Sequence, residues 1–278
     1  MESIPQPLRR GLPSAGSPEL WLLRLSDTPE AALDAAALDA SERERAASFA
    51  RPADRARFTA AHGTLRAVLG SYLGVAPADI RYARETCPCC GGPHGRPALL
   101  GFPGDLHFSL SHRGDLVLIG VAGEPVGVDV ELVPGIEGSG ELALMLHPDE
   151  QREARALDPA RRARAVARLW TRKEAYLKGL GTGLGRDPAT DYIGLGTPDG
   201  PRPRVDWHFR DVPVDRGYVA SVATRGPMTA TAVRPNRVTG RFPSPRRMTL
   251  ADHPGAAPSV YAHHVARRAD EAGDVGTC

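Results

Sequence analysis

The stretch GVDVE, residues 127–131, places two acidic residues inside a segment that otherwise has the composition of a buried strand. Because successive side chains of a strand point to opposite faces, Val128 and Val130 share one face while Asp129 and Glu131 share the other. Neighbouring carboxylates repel each other, and burying them without a partner costs several kcal/mol. The acidic face of this strand therefore requires solvent, a basic partner or a cation.

Composition limits the classes of protein to which the chain can belong. Its 278 residues are 41% apolar, which is enough for one large domain or two small ones with a real core. The net charge of +2 gives no indication of a nucleic-acid partner. No apolar run reaches the roughly 18–20 residues of a membrane span, and the N-terminus does not have the pattern of a signal peptide. We expect a cytoplasmic protein without a membrane or nucleic-acid partner.

The order of predicted elements suggests two similar halves. Helices followed by strands occur twice, once ending in LIGVAG and once in VASVAT, although ordinary edge strands would explain this equally well. The predicted subdomains are 19–126 and 127–226. A Pro/Gly/Ser-rich segment at 1–18 is predicted to be flexible, and the Pro- and Arg-rich segment 227–278 is predicted to be mostly disordered.

A second chemistry-bearing stretch is WTRKEAYLK, residues 170–178, within a segment that we predict to be helical over 149–178 and to end at Gly179. Trp170, Glu174 and Lys178 recur every four residues and so line one helix face. An i,i+4 ion pair beside a core tryptophan is the ordinary interpretation. The functional alternative makes Glu174 a further carboxylate near a cation and Lys178 a phosphate ligand.

The paired acids of GVDVE suit a hard divalent cation, because magnesium takes oxygen ligands and typically holds one or two protein carboxylates plus substrate phosphates. A solvated edge strand is the alternative. In FSLSH, residues 108–112, Ser111 and His112 stand at a predicted strand end, where they could contact a phosphate or complete a turn. Most of the arginines in 43–57 are expected on a solvated helix face.

Three of the four cysteines crowd into CPCCGGPHG, residues 87–95, which is not the pattern of a disulfide framework. Cys87 and Cys90 have C-x-x-C spacing, and His94 lies four residues further on. A structural zinc ion normally has four ligands, and the sequence holds no second distant pair. The pattern therefore favours a loop with free thiols and leaves a Zn²⁺ site at Cys87, Cys90 and His94 open.

Taken together, SLSH, GVDVE and WTRKEAYLK, in this order and spacing, resemble the motifs of the 4′-phosphopantetheinyl transferases, specifically the long Sfp-like type. The resemblance covers roughly residues 20–225. It implies an α+β (α/β) fold of two similar subdomains, each with helices packed on an antiparallel sheet. These pack as a pseudo-dimer within one chain, with the active site in the cleft between them.

The resemblance also implies a reaction. The 4′-phosphopantetheine arm of coenzyme A would be moved to a serine of an apo acyl or peptidyl carrier protein, giving the holo carrier and adenosine 3′,5′-bisphosphate. Magnesium would be the cofactor, and coenzyme A and the carrier domain would be the partners of a monomeric enzyme. Carrier activation of this kind serves secondary metabolite biosynthesis, among other pathways.

Site residues follow from the resemblance motif by motif. Asp129, Glu131 and Glu174 match the metal carboxylates, and Lys178 matches the lysine that holds the phosphate under attack. Catalytic roles fall to Glu174, Lys178 and Asp129, with the proton acceptor left open between Glu174, Asp129 and a metal-bound water. The residues matching the coenzyme A contacts are Arg45, Arg57, Arg96, Pro97, Ser111, His112 and Lys178.

Two other classes of function compete with this assignment. A catalytically inactive homologue would bind coenzyme A without transferring its arm, and the complete set of acids together with Lys178 argues against it. An interaction module built on a zinc loop would rest on residues 87–94 alone. Metal analysis separates the second alternative from the first.

Overall fold

The computed structural model describes residues 11–14, 16–27, 35–102, 104–197, 201–229 and 232–235. Within these residues the chain forms nine strands and five α-helices. In chain order they are β1 (Glu19–Arg24), α1 (Ala40–Ser48), α2 (Pro52–Leu73), β2 (Tyr82–Arg84), β3 (Pro97–Leu99), β4 (His107–Arg113), β5 (Leu116–Ala122), β6 (Val126–Leu132), α3 (Ile136–Leu144), α4 (Pro148–Ala156), α5 (Pro159–Leu180), β7 (His208–Asp211), β8 (Tyr218–Thr224) and β9 (Ala232–Pro235).

The first half is one long helix packed on a sheet of order β4-β5-β1-β9. Strand β5 pairs antiparallel with both β1 and β4, and a turn at Gly114 (φ 56°) joins β4 to β5 in a hairpin. Helix α2 has Pro52 at its first position and ends at Gly74, whose φ of 70° is left-handed. Its buried side chains, among them Leu65 and Leu69, pack against Trp21 and other residues of the sheet.

The second half repeats this topology. Its sheet has the order β6-β8-β7, which corresponds to β1-β5-β4 because the first strand again pairs with the last and the last two are antiparallel neighbours. Helix α5 is 22 residues long, like α2, also begins with a proline and also ends at a left-handed glycine, Gly181. The predicted α+β fold of two similar subdomains is confirmed.

The two sheets pack face to face, so the layers run helix, sheet, sheet, helix. The core between the sheets contains Leu20 and Leu118 from the first and Val128 and Val222 from the second. Along one side of β6, the backbone N–H groups of Val128 and Val130 donate to the hydroxyls of Ser109 (3.1 Å) and Ser111 (3.3 Å) on β4. These side-chain bonds hold SLSH against GVDVE.

The predicted helix over 149–178 is wrong in two details. It is two helices, because Pro159 cannot continue α4 and Asp158 instead caps α5 through a bond from the N–H of Ala160 to its carboxylate. Its end is Gly181 rather than Gly179, which lies inside the helix.

The structure describes part of the C-terminal segment that the sequence predicted to be disordered. Strand β9 pairs parallel with β1, so the range 227–278 predicted to be disordered contains at least these four paired residues. The rest of that range beyond Pro235, like residues 1–10, lies outside the described residues.

None of the helices that the structure describes has the length and apolar character needed to cross a membrane.

Candidate active site between strand β6 and helix α5

Glycines control how closely α5 approaches β6. A Cβ atom on Gly127 would lie 1.8 Å from the carbonyl oxygen of Ala175 and 2.6 Å from the backbone nitrogen of Gly179. A Cβ atom on Gly179 would in turn meet the ring of Trp207 at 2.5 Å. Because side chains alternate along β6, the face that carries Gly127 also carries the two acids. The absence of a side chain at Gly127 therefore allows the acidic face of the strand to pack closely against the helix that carries Glu174 and Lys178.

Asp129 is the point where the three sequence motifs meet. Its side chain is completely buried, and its Oδ1 accepts hydrogen bonds from the ammonium group of Lys178 (2.7 Å) and the hydroxyl of Ser111 (2.7 Å). The same ammonium group also reaches the carbonyl oxygen of Val128 at 3.3 Å. The structure thus brings SLSH, GVDVE and WTRKEAYLK into direct contact.

The other two predicted metal carboxylates are also buried. Glu131 is 3% exposed and pairs with the guanidinium of Arg113 on β4 at 3.2 Å, whereas Glu174 is 4% exposed on α5. Both acids of GVDVE therefore have basic partners in this structure. Arg113 follows SLSH directly in the sequence but matched no motif, so the sequence did not identify it as that partner.

The donor set of this site fits a hard divalent cation. Asp129, Glu131 and Glu174 offer only carboxylate oxygens, and two closely packed elements carry them. Three buried carboxylates in one region are costly unless cations neutralise them. Lys178 and Arg113 supply two positive charges against these three carboxylates, so one negative charge remains for a cation to neutralise.

Trp170 does not belong to this site. It is buried in a separate core with Leu142 and Leu146, which lie in and just after α3, so the ordinary interpretation of this residue was right. Lys178, one turn beyond Glu174, pairs across the interface with Asp129. Of the residues predicted to share this helix face, Trp170 therefore packs in the core, whereas Lys178 belongs to the site.

A cleft of about 630 Å³ opens beside the Lys178–Asp129 pair. Its walls are α2, the β2–β3 hairpin, β4 and the end of α5, and its lining includes Arg96, Pro97, Ser109 and Lys178. Arg96 is anchored there, since it donates to the Glu85 carboxylate (2.7 and 3.0 Å) and to the carbonyl oxygen of Gly179 (2.8 Å). Three of the residues matched to coenzyme A contacts, Arg96, Pro97 and Lys178, thus line the same cavity.

The remaining matched residues are more scattered. Arg57 donates to the carbonyl oxygen of Gly114 (2.8 Å), in the turn that follows His112 and Arg113, and also to Asp54. Arg45 lies over the ring of Phe49 at 5.3 Å, near the end of its own helix. The structure therefore brings Arg57 to the hairpin that carries SLSH.

Sequence reasoning missed a buried ion pair immediately beside Glu174. The ammonium group of Lys173 donates to Glu150 on α4 (2.9 Å) and to the carbonyl oxygen of Asp191, and both charged side chains are fully buried. The same Glu150 oxygen accepts the backbone N–H of Ile193 at 2.7 Å. Burial lowers the pKa of Lys173, and the Glu150 carboxylate opposes that shift. The pair fixes α5 against α4 and the following loop, and so helps to position Glu174.

A second charged cluster supports the cleft wall. Arg66 is fully buried and pairs with Asp39 (2.5 Å) and Glu42 (2.5 Å), which line the cleft together with His62. Burial by itself would raise the pKa of Glu42, but hydrogen bonds from His62 and the backbone of Asp39, together with the charge of Arg66, outweigh it and hold the pKa below 4.5.

The lowered pKa of Glu42 predicts acid lability. A carboxyl group with a depressed folded-state pKa contributes stability above its unfolded value, here 4.5, and loses that contribution as the pH falls through the folded value. The free energy of unfolding, measured by urea titration on either side of pH 4.5, should therefore fall with acid. Glu42→Gln should be less stable at neutral pH and should show a shallower acid dependence. An unchanged slope in this variant would contradict the prediction.

Comparison with known proteins agrees with this geometry. Residues 125–223, which include β6 and α5, match the 4′-phosphopantetheinyl transferase superfamily. The chain is 34% identical over 216 residues to the 4′-phosphopantetheinyl transferase HetI of Nostoc sp., covering 74% of this chain and 87% of that protein. It is 26% identical over 211 residues to the transferase Sfp of Bacillus subtilis, covering 68% and 88%. The chain therefore belongs to the 4′-phosphopantetheinyl transferase family and is an enzyme of that class.

Proposed function

We propose that the protein takes the 4′-phosphopantetheine arm from coenzyme A and attaches it to a serine hydroxyl of an apo acyl or peptidyl carrier protein. The observation that carries this proposal is the contact of Lys178 and Ser111 with Asp129, beside a cleft large enough for a nucleotide. This contact places a positive charge next to a buried acid. Such a site can hold a pyrophosphate and respond to the charge that develops on it.

Coenzyme A would lie in the cleft with its phosphates near Lys178. The side chain of Lys178 is 24% exposed and its ammonium group pairs with Asp129, so an entering phosphate oxygen would share or replace that carboxylate. Arg96 would add positive charge on the cleft wall, where Glu85 and the Gly179 carbonyl fix its orientation. A guanidinium suits this place because its planar fork stays charged and matches phosphate oxygens.

Asp129, Glu131 and Glu174 would hold a magnesium ion, which when bound neutralises charge on the pyrophosphate during its cleavage. In the transfer, the serine oxygen forms a bond to the phosphorus that carries the pantetheine arm. The bond from that phosphorus to the bridging oxygen breaks, and adenosine 3′,5′-bisphosphate leaves with the bond's electron pair. The serine proton requires a base within hydrogen-bond reach, and we assign this role to Glu174.

The decisive experiment incubates the protein with coenzyme A, Mg²⁺ and an apo carrier domain and then determines the carrier mass. We expect a gain of one phosphopantetheine group in the wild type and in Asp206→Ala, which removes an exposed acid. Asp129→Ala should fold but give no transfer. Binding of coenzyme A without any change of carrier mass in the wild type would instead support the inactive homologue.

The hairpin residues lead to a prediction about the 3′-phosphate. Arg57 bonds the turn that follows His112, so the two can converge on one anion. The wild type should prefer coenzyme A to its 3′-dephospho analogue, measured as the ratio of kcat/KM, and His112→Ala should lose most of that preference. His208→Ala, a change at an exposed histidine on β7, should keep it. A His112→Ala variant that discriminates as strongly as the wild type would exclude this role.

A further inference from the structure

The loop between β2 and β3 contains a compact group of metal-ligating atoms that the active site does not use. One ligand atom from each of Cys87, Cys90 and His94 lies within 4.8 Å of the other two. Cys90 Sγ lies 3.0 Å from Nε2 of His94. The other ring nitrogen, Nδ1, is buried and forms no hydrogen bond within the part of the chain that the structure describes. The imidazole is thus directed at the thiols rather than held elsewhere.

The backbone of this loop holds the three side chains together before any ion binds. The N–H of Cys87 donates to the carbonyl oxygen of Gly92 (2.7 Å), and the N–H of Gly91 donates back to the carbonyl oxygen of Cys87 (2.9 Å). Gly91 has a φ of 74°, which only glycine adopts without strain. At its base the loop is closed by Glu85, whose N–H donates to the carbonyl oxygen of Arg96 at 2.9 Å.

The chemistry and spacing of these donors suit zinc. Two thiolates and an imidazole are the ligands that Zn²⁺ prefers, at about 2.3 Å from sulfur and about 2.1 Å from nitrogen. A tetrahedral ion at those distances separates its donors by roughly 3.5 Å. The observed separations, 3.0 Å for the Cys90–His94 pair and at most 4.8 Å overall, require only small side-chain rotations. A hard cation would not select sulfur ligands.

We propose that Cys87, Cys90 and His94 bind one Zn²⁺ ion, and no further His, Cys, Asp or Glu among the described residues joins this group. Cys89 is exposed and lies outside the group, so it is not a ligand. The loop leads directly into Arg96 and Pro97, and His94 itself lines the cleft beside them. A bound ion would therefore stiffen the cleft wall against which coenzyme A is proposed to lie, and this consequence rests on the proposed function.

The test uses the full-length protein, stripped with a chelator and then titrated with Zn²⁺ or with Co²⁺ as a spectroscopic substitute. The wild type should bind one equivalent and show the thiolate-to-cobalt charge-transfer band. Loss of an outer-shell partner alone typically costs 10–100-fold, so Cys90→Ser and His94→Gln should each weaken affinity by at least about 100-fold. Cys89→Ser should bind as the wild type does.

Some results would overturn this zinc site. They are a wild type that binds no stoichiometric Zn²⁺, a Cys90→Ser variant of unchanged affinity, or a Cys89→Ser variant as weak as Cys90→Ser. Circular dichroism checks that each variant is folded, and serine at exposed Cys90 is a mild change. The wild-type titration decides the matter even if a variant fails to fold.

The effect on the cleft has its own readout. At saturating Mg²⁺, Cys90→Ser should raise the KM for coenzyme A several-fold with little change in kcat. An unchanged KM in a variant that has lost zinc rejects the role in the wall but not the site. Absence of transfer by zinc-loaded wild type rejects the proposed function while leaving the zinc site standing.

Discussion

Gly127→Ala should be one of the most damaging single substitutions in this chain. Its new methyl group would overlap the backbone of Ala175 and Gly179, and backbone atoms cannot rotate away as a flexible side chain can. Helix α5 would have to move off β6, which opens the buried interface. We expect the free energy of unfolding to fall by about 3 kcal/mol or more, at the upper end of overpacking effects. Transfer should be lost as Lys178 and Asp129 separate.

The same substitution at Gly140 provides a matched control. Gly140 lies within α3, where an added Cβ atom would meet nothing within 4 Å. Alanine there should raise the free energy of unfolding by about 0.5–1 kcal/mol, because it removes the entropic cost of a helical glycine. Opposite signs for the two variants in urea unfolding are the expected result. A Gly127→Ala protein with near wild-type stability and turnover would show that α5 can shift at little cost.

The glycines also show where local sequence reasoning fails. Gly179 was predicted to end the helix, because glycine after an apolar helical pattern usually does so. Its actual role is to leave room for the ring of Trp207 and the backbone of Gly127, both distant in sequence. The helix ends two residues later at Gly181, which has the left-handed φ that a cap requires. Two glycines that are two residues apart thus have different roles, and local propensity alone does not distinguish them.

The acidic strand was predicted more fully. Alternation along GVDVE put Asp129 and Glu131 on one face and required solvent, a basic partner or a cation there. The structure supplies basic partners, Lys178 and Arg113, for these two acids. Lys178 was anticipated through its motif. Arg113 was not, because its pairing depends on how the two sheets face each other.

Buried ion pairs between elements that are distant in sequence could not be predicted for the same reason. Lys173 pairs with Glu150, 23 residues earlier, and Arg66 pairs with Glu42, 24 residues earlier. On sequence alone each would be assigned to a solvated helix face, since isolated charged residues are almost never fully buried without a partner. Only the packing of α4 on α5 and of α1 on α2 reveals that the partner exists.

Glu174→Gln should reduce transfer by two orders of magnitude or more while leaving the fold intact. Glutamine keeps the shape of this buried side chain and removes its charge, so both a metal-ligand role and a base role are impaired. Stability should change little, because the substitution removes one of three buried carboxylates and thereby relieves repulsion. Lys173, which anchors the same turn of α5 to Glu150, is untouched.

Single-turnover transfer at several pH and Mg²⁺ values separates the two roles. If Glu174 accepts the serine proton, the variant should lose the acidic limb of the pH–rate profile, since no carboxylate remains to be protonated there. If Glu174 only binds the metal, raised Mg²⁺ should restore much of the rate. Glu137→Gln, the same change at an exposed position on α3, should behave as the wild type. An unaffected rate in Glu174→Gln would remove both roles and leave Glu174 as a buried carboxylate one helical turn before Lys178.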